Sequence, residues 1–153
     1  MSMMDIIAKK IQLLGRYGHY GAWTVALISL VGSLYFSEVL GWLPCLLCWY
    51  SRILMYPIVV IGAVGILRKD HNWALYALPL SIGGVALSFY HSLLQWGIIS
   101  EAVAPCRTGL SCATKNLNLL GFITVPFLAF LSFAAITVCL TFYWKENTNV
   151  ERS

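Results

Sequence analysis

Residues 46–67 read LLCWYSRILMYPIVVIGAVGIL, an apolar run interrupted by one charge, Arg52. A helix rises about 1.5 Å per residue and the hydrocarbon core of a bilayer is about 30 Å thick, so roughly 20 apolar residues suffice to cross it. The strands of a membrane barrel would read as short alternating segments, and this run does not alternate. It predicts a transmembrane helix. The same reading carried outward predicts spans over about 20–40, 46–67, 73–96 and 119–144, with tryptophan or tyrosine near many of the ends, as interfacial anchors should be. The expected fold is all-α, an integral membrane four-helix bundle forming one domain over 1–153, with outer loops at 41–45 and 97–118.

Composition supports lipid as the main solvent. Of 153 residues 59% are hydrophobic and 10% charged, and the mean hydropathy is +0.78. A soluble domain of this size leaves too much of its area in water to hide so much apolar surface. The net charge of +4 comes from cations at the ends of apolar runs, with no basic stripe interleaved with aromatics, so nucleic acid is not an expected partner and the lipid bilayer is. Lys9, Lys10 and Arg16 precede the first span, Arg68 and Lys69 lie between the second and third, and Lys145 and Arg152 follow the fourth. The positive-inside rule then predicts both termini in the cytoplasm and both close cysteine pairs outside. The first span is too long for a signal-peptide core, and Tyr35-Phe36-Ser37-Glu38 lacks small residues at a cleavage spacing, so it is expected to be retained. Pro57, Pro79 and Pro126 inside spans are read as packing kinks. The polar stretch from Gly97 to Asn118 is the one outer loop with room for a partner.

Of five cysteines, Cys139 sits alone in an apolar run and is read as a small buried hydrophobe. The others form two pairs. Cys45 and Cys48 follow Pro44 where the chain enters the membrane; proline suits the start of a helix, so the pair is expected at a helix N-terminus, where backbone N–H groups and the dipole favour a thiolate. Residues three apart share a helix face, so the sulfurs can approach for a disulfide. Cys106 and Cys112 enclose a polar loop with Gly109 for tight turning and Arg107 alongside. A four-sulfur zinc site is the competing reading; five residues between the second pair exceed the usual ligand spacing, and an oxidising outer compartment disfavours free thiolates, so no metal is expected. Exchange through a mixed disulfide would let the loop pair and the membrane-edge pair act as a two-step relay, which needs an electron sink. Arg52 and His91 lie at similar depth in antiparallel spans, roughly 7–11 Å below the outer interface, where ionisable groups are costly and mark function. They are the candidate binding residues for that sink. Glu38 is read as interfacial.

Pro44-Cys45-Leu46-Leu47-Cys48-Trp49-Tyr50-Ser51-Arg52 resembles the PCxxCxxxR segment of the DsbB family, and Tyr90-His91-Ser92-Leu93-Leu94-Gln95 resembles that family's histidine-bearing segment at the end of span three. The resemblance covers nearly the whole chain, and within the family looks closest to the short-looped BdbC type of Gram-positive bacilli. It implies a bacterial plasma-membrane enzyme that reoxidises a DsbA-like (BdbD-like) thioredoxin-fold partner and hands electrons to the quinone pool, menaquinone or ubiquinone. It further implies that Cys106 takes the partner's thiolate, Cys112 attacks Cys45, Cys48 leaves as a thiolate, and Arg52 and His91 lie near the quinone oxygens. The alternative is a structural membrane protein whose two disulfides brace outer loops.

Overall fold

The computed structural model describes residues 3–100 and 124–152. Helix α1 spans Met3–Glu38, α2 Leu46–Arg68, α3 Trp73–Gln95 and α4 Val125–Arg152. Each contains a stretch long and apolar enough to cross a membrane: Gly15–Glu38, Leu46–Arg68, Trp73–Gln95 and Val125–Thr148. No strand occurs among the described residues.

Contacts along the helices fix an up-down-up-down order. Gly18 of α1 lies against the Cys139 carbonyl of α4, and the Trp23 indole N–H donates to Val59 O across α1 and α2 at 3.0 Å. Gly65 lies against Trp73 where α2 turns into α3, and Trp96, the C-cap of α3, meets Phe127 of α4 with ring centroids 5.8 Å apart. Neighbours in sequence are therefore antiparallel and α4 closes on α1, the arrangement of an up-down-up-down bundle. The Lys69 backbone, in the left-handed region at φ 54, reverses the chain between α2 and α3, and its N–H donates to Gly65 O and Ile66 O at the helix C-terminus.

The interior is built from small residues beside large ones. Ala22, Ala26 and Leu30 of α1, at helical spacing, face Met55, Ile58, Trp73, Phe133, Ile136 and Leu140 in one buried cluster. Outside, Ile28, Val31, Ile53, Val60, Leu67, Ile82 and Val138 are exposed. An apolar shell of this extent would drive a soluble protein to associate, whereas it is the surface that hydrocarbon wets.

Two helices run further than apolarity alone indicates. No glycine or proline precedes Gly15, so α1 continues back through Lys9 and Lys10 to Met3 beyond the apolar run. Helix α4 likewise runs past Trp144 to Arg152. At its other end α4 begins at Val125, which puts Pro126 in the first turn, where no intrahelical N–H is needed, so it is a helix start and not a kink.

Two adjacent glycines give a test of the packing. A Cβ at Gly84 would collide with Cδ1, Cε1 and Cγ of the buried Phe133 ring, while one at Gly83 would meet nothing nearer than Leu54 Cδ1 at 3.9 Å. Gly84→Ala is expected to destabilise by about 1–3 kcal/mol through overpacking. Gly83→Ala should be neutral or stabilise by up to about 1 kcal/mol through helix propensity. Thermal melts of the detergent-solubilised protein separate the two; equal melting points would contradict the α3–α4 packing.

Candidate active site

Pro44 ends the extended entry into α2, and Cys45 is the N-cap residue, with φ −70 and ψ 169. Its carbonyl accepts the Trp49 N–H at 3.1 Å, the first bond of the helix. The next two residues enter the first turn, which brings Cys48 back over Cys45, and the two Sγ atoms lie 2.9 Å apart. The proline stands just outside the helix and the cysteine takes the cap. On the other side of Cys45, His91 of α3 presents Nε2 at 3.6 Å from Sγ. His91 is 1% exposed. Leu47 and Leu94 close an apolar collar, with Cys45, Tyr90 and Leu87 packed against them.

The electrostatics of Cys45 follow from these contacts. The Cys48 thiol, donating to the Cys45 sulfur, is the largest influence and holds the Cys45 thiol well below the usual range; burial opposes it, and the hydrogen bond and charge of His91 act with Cys48. A thiolate at a helix N-terminus also meets the positive end of the backbone dipole. Because the ionisation is lowered, the Cys45 thiolate should persist as pH falls through about 8.5, where a free thiol protonates, and disappear only at lower pH. Alkylation rates of the reduced chain against pH, read by mass spectrometry at Cys45, should show this, and the midpoint should move upward in Cys48→Ala. A midpoint in the ordinary thiol range would contradict the geometry.

Arg52, one turn beyond Cys48 and buried in α2, points to α1. Its Nε donates to Ser33 Oγ at 2.9 Å and an Nη donates to Ser33 O at 2.7 Å. The guanidinium carbon lies 5.7 Å from the Trp49 ring centroid, close enough for cation–π attraction. Beside it a cavity of about 170 Å³ opens between α1, α2 and α4, with Arg52, Ser29, Ser33, Ser51 and Ser132 as its polar residues and Phe36 and Phe133 among its apolar walls. A cavity of about 150 Å³ admits a benzene ring, so this one has room for a ring-sized head group.

Cys45, Cys48 and His91 thus form one cluster, and Arg52 stands a turn away on the wall of the cavity. Arg52 and His91 do not share a surface: His91 faces the sulfurs and does not line the cavity. Cys106 and Cys112, with Arg107, lie outside the described residues. Cys139 packs against the main core cluster, and Glu38 is exposed at the end of α1. Sequence reasoning missed Ser33, the partner of Arg52, and the α4 wall of the cavity. A serine opposite a buried arginine at equal depth was the available signal, although Ser29 and Ser37 of α1 compete with it.

A family signature described as disulfide bond formation protein DsbB matches residues 19–143. The chain is 44% identical over 129 residues to disulfide bond formation protein C of Bacillus subtilis (strain 168), covering 84% of this chain and 94% of that protein. It is 44% identical over 127 residues to the probable disulfide formation protein C of Halalkalibacterium halodurans, covering 83% and 93%. With the probable disulfide formation protein of Metapseudomonas resinovorans it shares 41% identity over 127 residues, covering 82% and 88%. No solved structure matches the chain significantly. A four-helix membrane fold, a cysteine pair at the mouth of α2 and this similarity over most of the sequence agree: the chain belongs to the DsbB family of disulfide bond formation proteins, multi-pass proteins of the bacterial membrane.

Proposed function

We propose that this protein reoxidises a DsbA-like (BdbD-like) thioredoxin-fold partner outside the cytoplasm and passes the electrons to a membrane quinone, so sustaining disulfide formation in exported proteins. The observation that carries the reading is the contact of Cys45 Sγ with both Cys48 Sγ and His91 Nε2, at 2.9 and 3.6 Å. A disulfide that only braced a loop would need no buried imidazole against its sulfur.

The partner's thiolate attacks Cys106 of the Cys106–Cys112 disulfide, and the Cys112 sulfur leaves. Cys112 attacks Cys45 of the Cys45–Cys48 disulfide, releasing Cys48 as a thiolate. The partner's second thiolate then displaces Cys106, so the partner leaves as a disulfide. Cys106 displaces Cys45 from Cys112, which restores the loop disulfide and leaves Cys45 and Cys48 carrying two electrons. Their sum is one dithiol oxidised and one disulfide reduced. The Cys45 thiolate is stabilised by Cys48 and by His91, and Cys48 sits one turn from Arg52 in α2. The ring-sized cavity beside Arg52 fits a quinone head group, whose carbonyl oxygen would accept from guanidinium N–H groups not used on Ser33. A quinone there would supply a two-electron, two-proton sink for the Cys45–Cys48 pair. Ser33 holds Arg52 at that wall, and the phenylalanines exclude water.

Orientation belongs to the same proposal. Lys9, Lys10 and Arg16 at the start of α1, Arg68 and Lys69 at the end of α2, and Lys145 near the end of α4 share the end of the bundle opposite Cys45. That end is the cytoplasmic one, with both termini, and the cysteine pairs face outside. The reading is tested by mixing purified protein in detergent with a reduced DsbA-like partner under air-saturated quinone and following the partner's thiols. Catalytic loss of those thiols is expected; partner thiols that persist while both disulfides of the protein stay intact would favour bracing.

A further inference from the structure

We propose that, when Cys45 and Cys48 are reduced, these two sulfurs and His91 Nε2 form a three-ligand site for a thiophilic divalent cation of the zinc type, which holds the pair out of disulfide exchange. The donor atoms all lie within 4.8 Å of one another, the one such group of cysteine, histidine and acidic residues among those described. Zinc takes sulfur at about 2.3 Å and nitrogen at about 2.0–2.1 Å, so tetrahedral ligands stand about 3.6 Å apart for a sulfur–nitrogen pair and about 3.8 Å for two sulfurs. The Cys45–His91 separation of 3.6 Å already matches the first value. The sulfurs, 2.9 Å apart, must open by about 0.9 Å, a rotation of the Cys48 side chain in the first turn of α2.

Chemistry selects the ion. Two thiolates and a neutral imidazole suit a soft or borderline d¹⁰ cation, whereas magnesium and calcium require oxygen donors that this cluster lacks. The complex of two thiolates with a divalent cation is neutral, which suits an apolar collar at the membrane edge. Each sulfur binds as its thiolate, any proton it still carries passing to solvent, and no oxidation state changes. The disulfide form offers no thiolate and so no site. Three protein ligands leave a fourth position for water or an incoming thiol. This set differs from a four-sulfur site, since its third ligand comes from α3 and the ion acts as an inhibitor of one redox state. The inhibition rests on the relay proposed above; the binding does not.

The test uses the full chain in detergent with Cys106→Ser and Cys112→Ser, so that only the membrane-edge pair can respond, and cobalt(II) as the spectroscopic probe with zinc competing. One cobalt per phosphine-reduced chain, with thiolate-to-cobalt charge-transfer absorption displaced by zinc and absent from the oxidised chain, is expected. His91→Ala should weaken binding at least about tenfold and His91→Cys, which returns a soft ligand, should restore it, an outcome that misfolding would not produce. Binding indifferent to His91, or equal in oxidised and reduced chains, would overturn the site. With unsubstituted cysteines, zinc bound to the reduced pair without slowing partner oxidation would overturn the inhibition and leave the relay standing. Absence of partner oxidation in metal-free protein would instead overturn the relay and leave the site.

Discussion

Cys48→Ala is expected to lower the rate of partner oxidation by at least about 10³-fold, to the uncatalysed background, because a relay that stores electrons in a disulfide cannot run through one sulfur. The substitution is gentle on the fold. Cys48 lies in the first turn of α2, half-buried, and alanine is the better helix former. The same variant removes the hydrogen bond that favours the Cys45 thiolate, so its two effects have one geometric origin, the 2.9 Å sulfur contact. Cys139→Ser, in the middle of α4, should leave the rate within about twofold, since Cys139 touches no part of the cluster. Steady-state rates of the three proteins with a reduced partner and excess quinone check this; a Cys48→Ala enzyme with a tenth or more of full activity would contradict the relay.

Arg52→Leu is expected to raise the KM for quinone by about 10- to 100-fold with a smaller change in kcat. A hydrogen bond from a charged donor is worth about 1.5–3 kcal/mol, and a group that binds the acceptor without entering the thiol chemistry loses mainly affinity. Arg52→Lys keeps the charge but loses the two-pronged contact with Ser33, at 2.9 and 2.7 Å, and should fall between. If Arg52 served only to clamp α1 to α2, the melting temperature would drop while the KM stayed unchanged. Measuring both quantities on the same preparations separates the roles.

The run at 46–67 made the fold class legible, because length and apolarity are one-dimensional properties and a bilayer reads them directly. Rotation about the helix axis was not legible. Helices apolar all round carry little indication of which face meets protein, so nothing in the local pattern told that His91 faces Cys45 while Arg52 faces Ser33. The cap at Cys45 was partly legible from Pro44, which marks a helix start to within a residue. The extension of α1 to Met3 was hidden because the reading followed hydropathy, whereas Lys9 and Lys10 are good helix formers that continue a helix out of the membrane.

Electron accounting without oxygen tests the relay from partner to quinone. Purified protein is mixed anaerobically with reduced partner and excess quinone, and the disulfide formed in the partner is counted against the quinol formed. The relay through Cys45 and Cys48 predicts one quinol for each partner disulfide, in many turnovers per chain. Partner disulfides that accumulate over many turnovers without quinol, or a partner that stays reduced beside unreacted quinone, would contradict it.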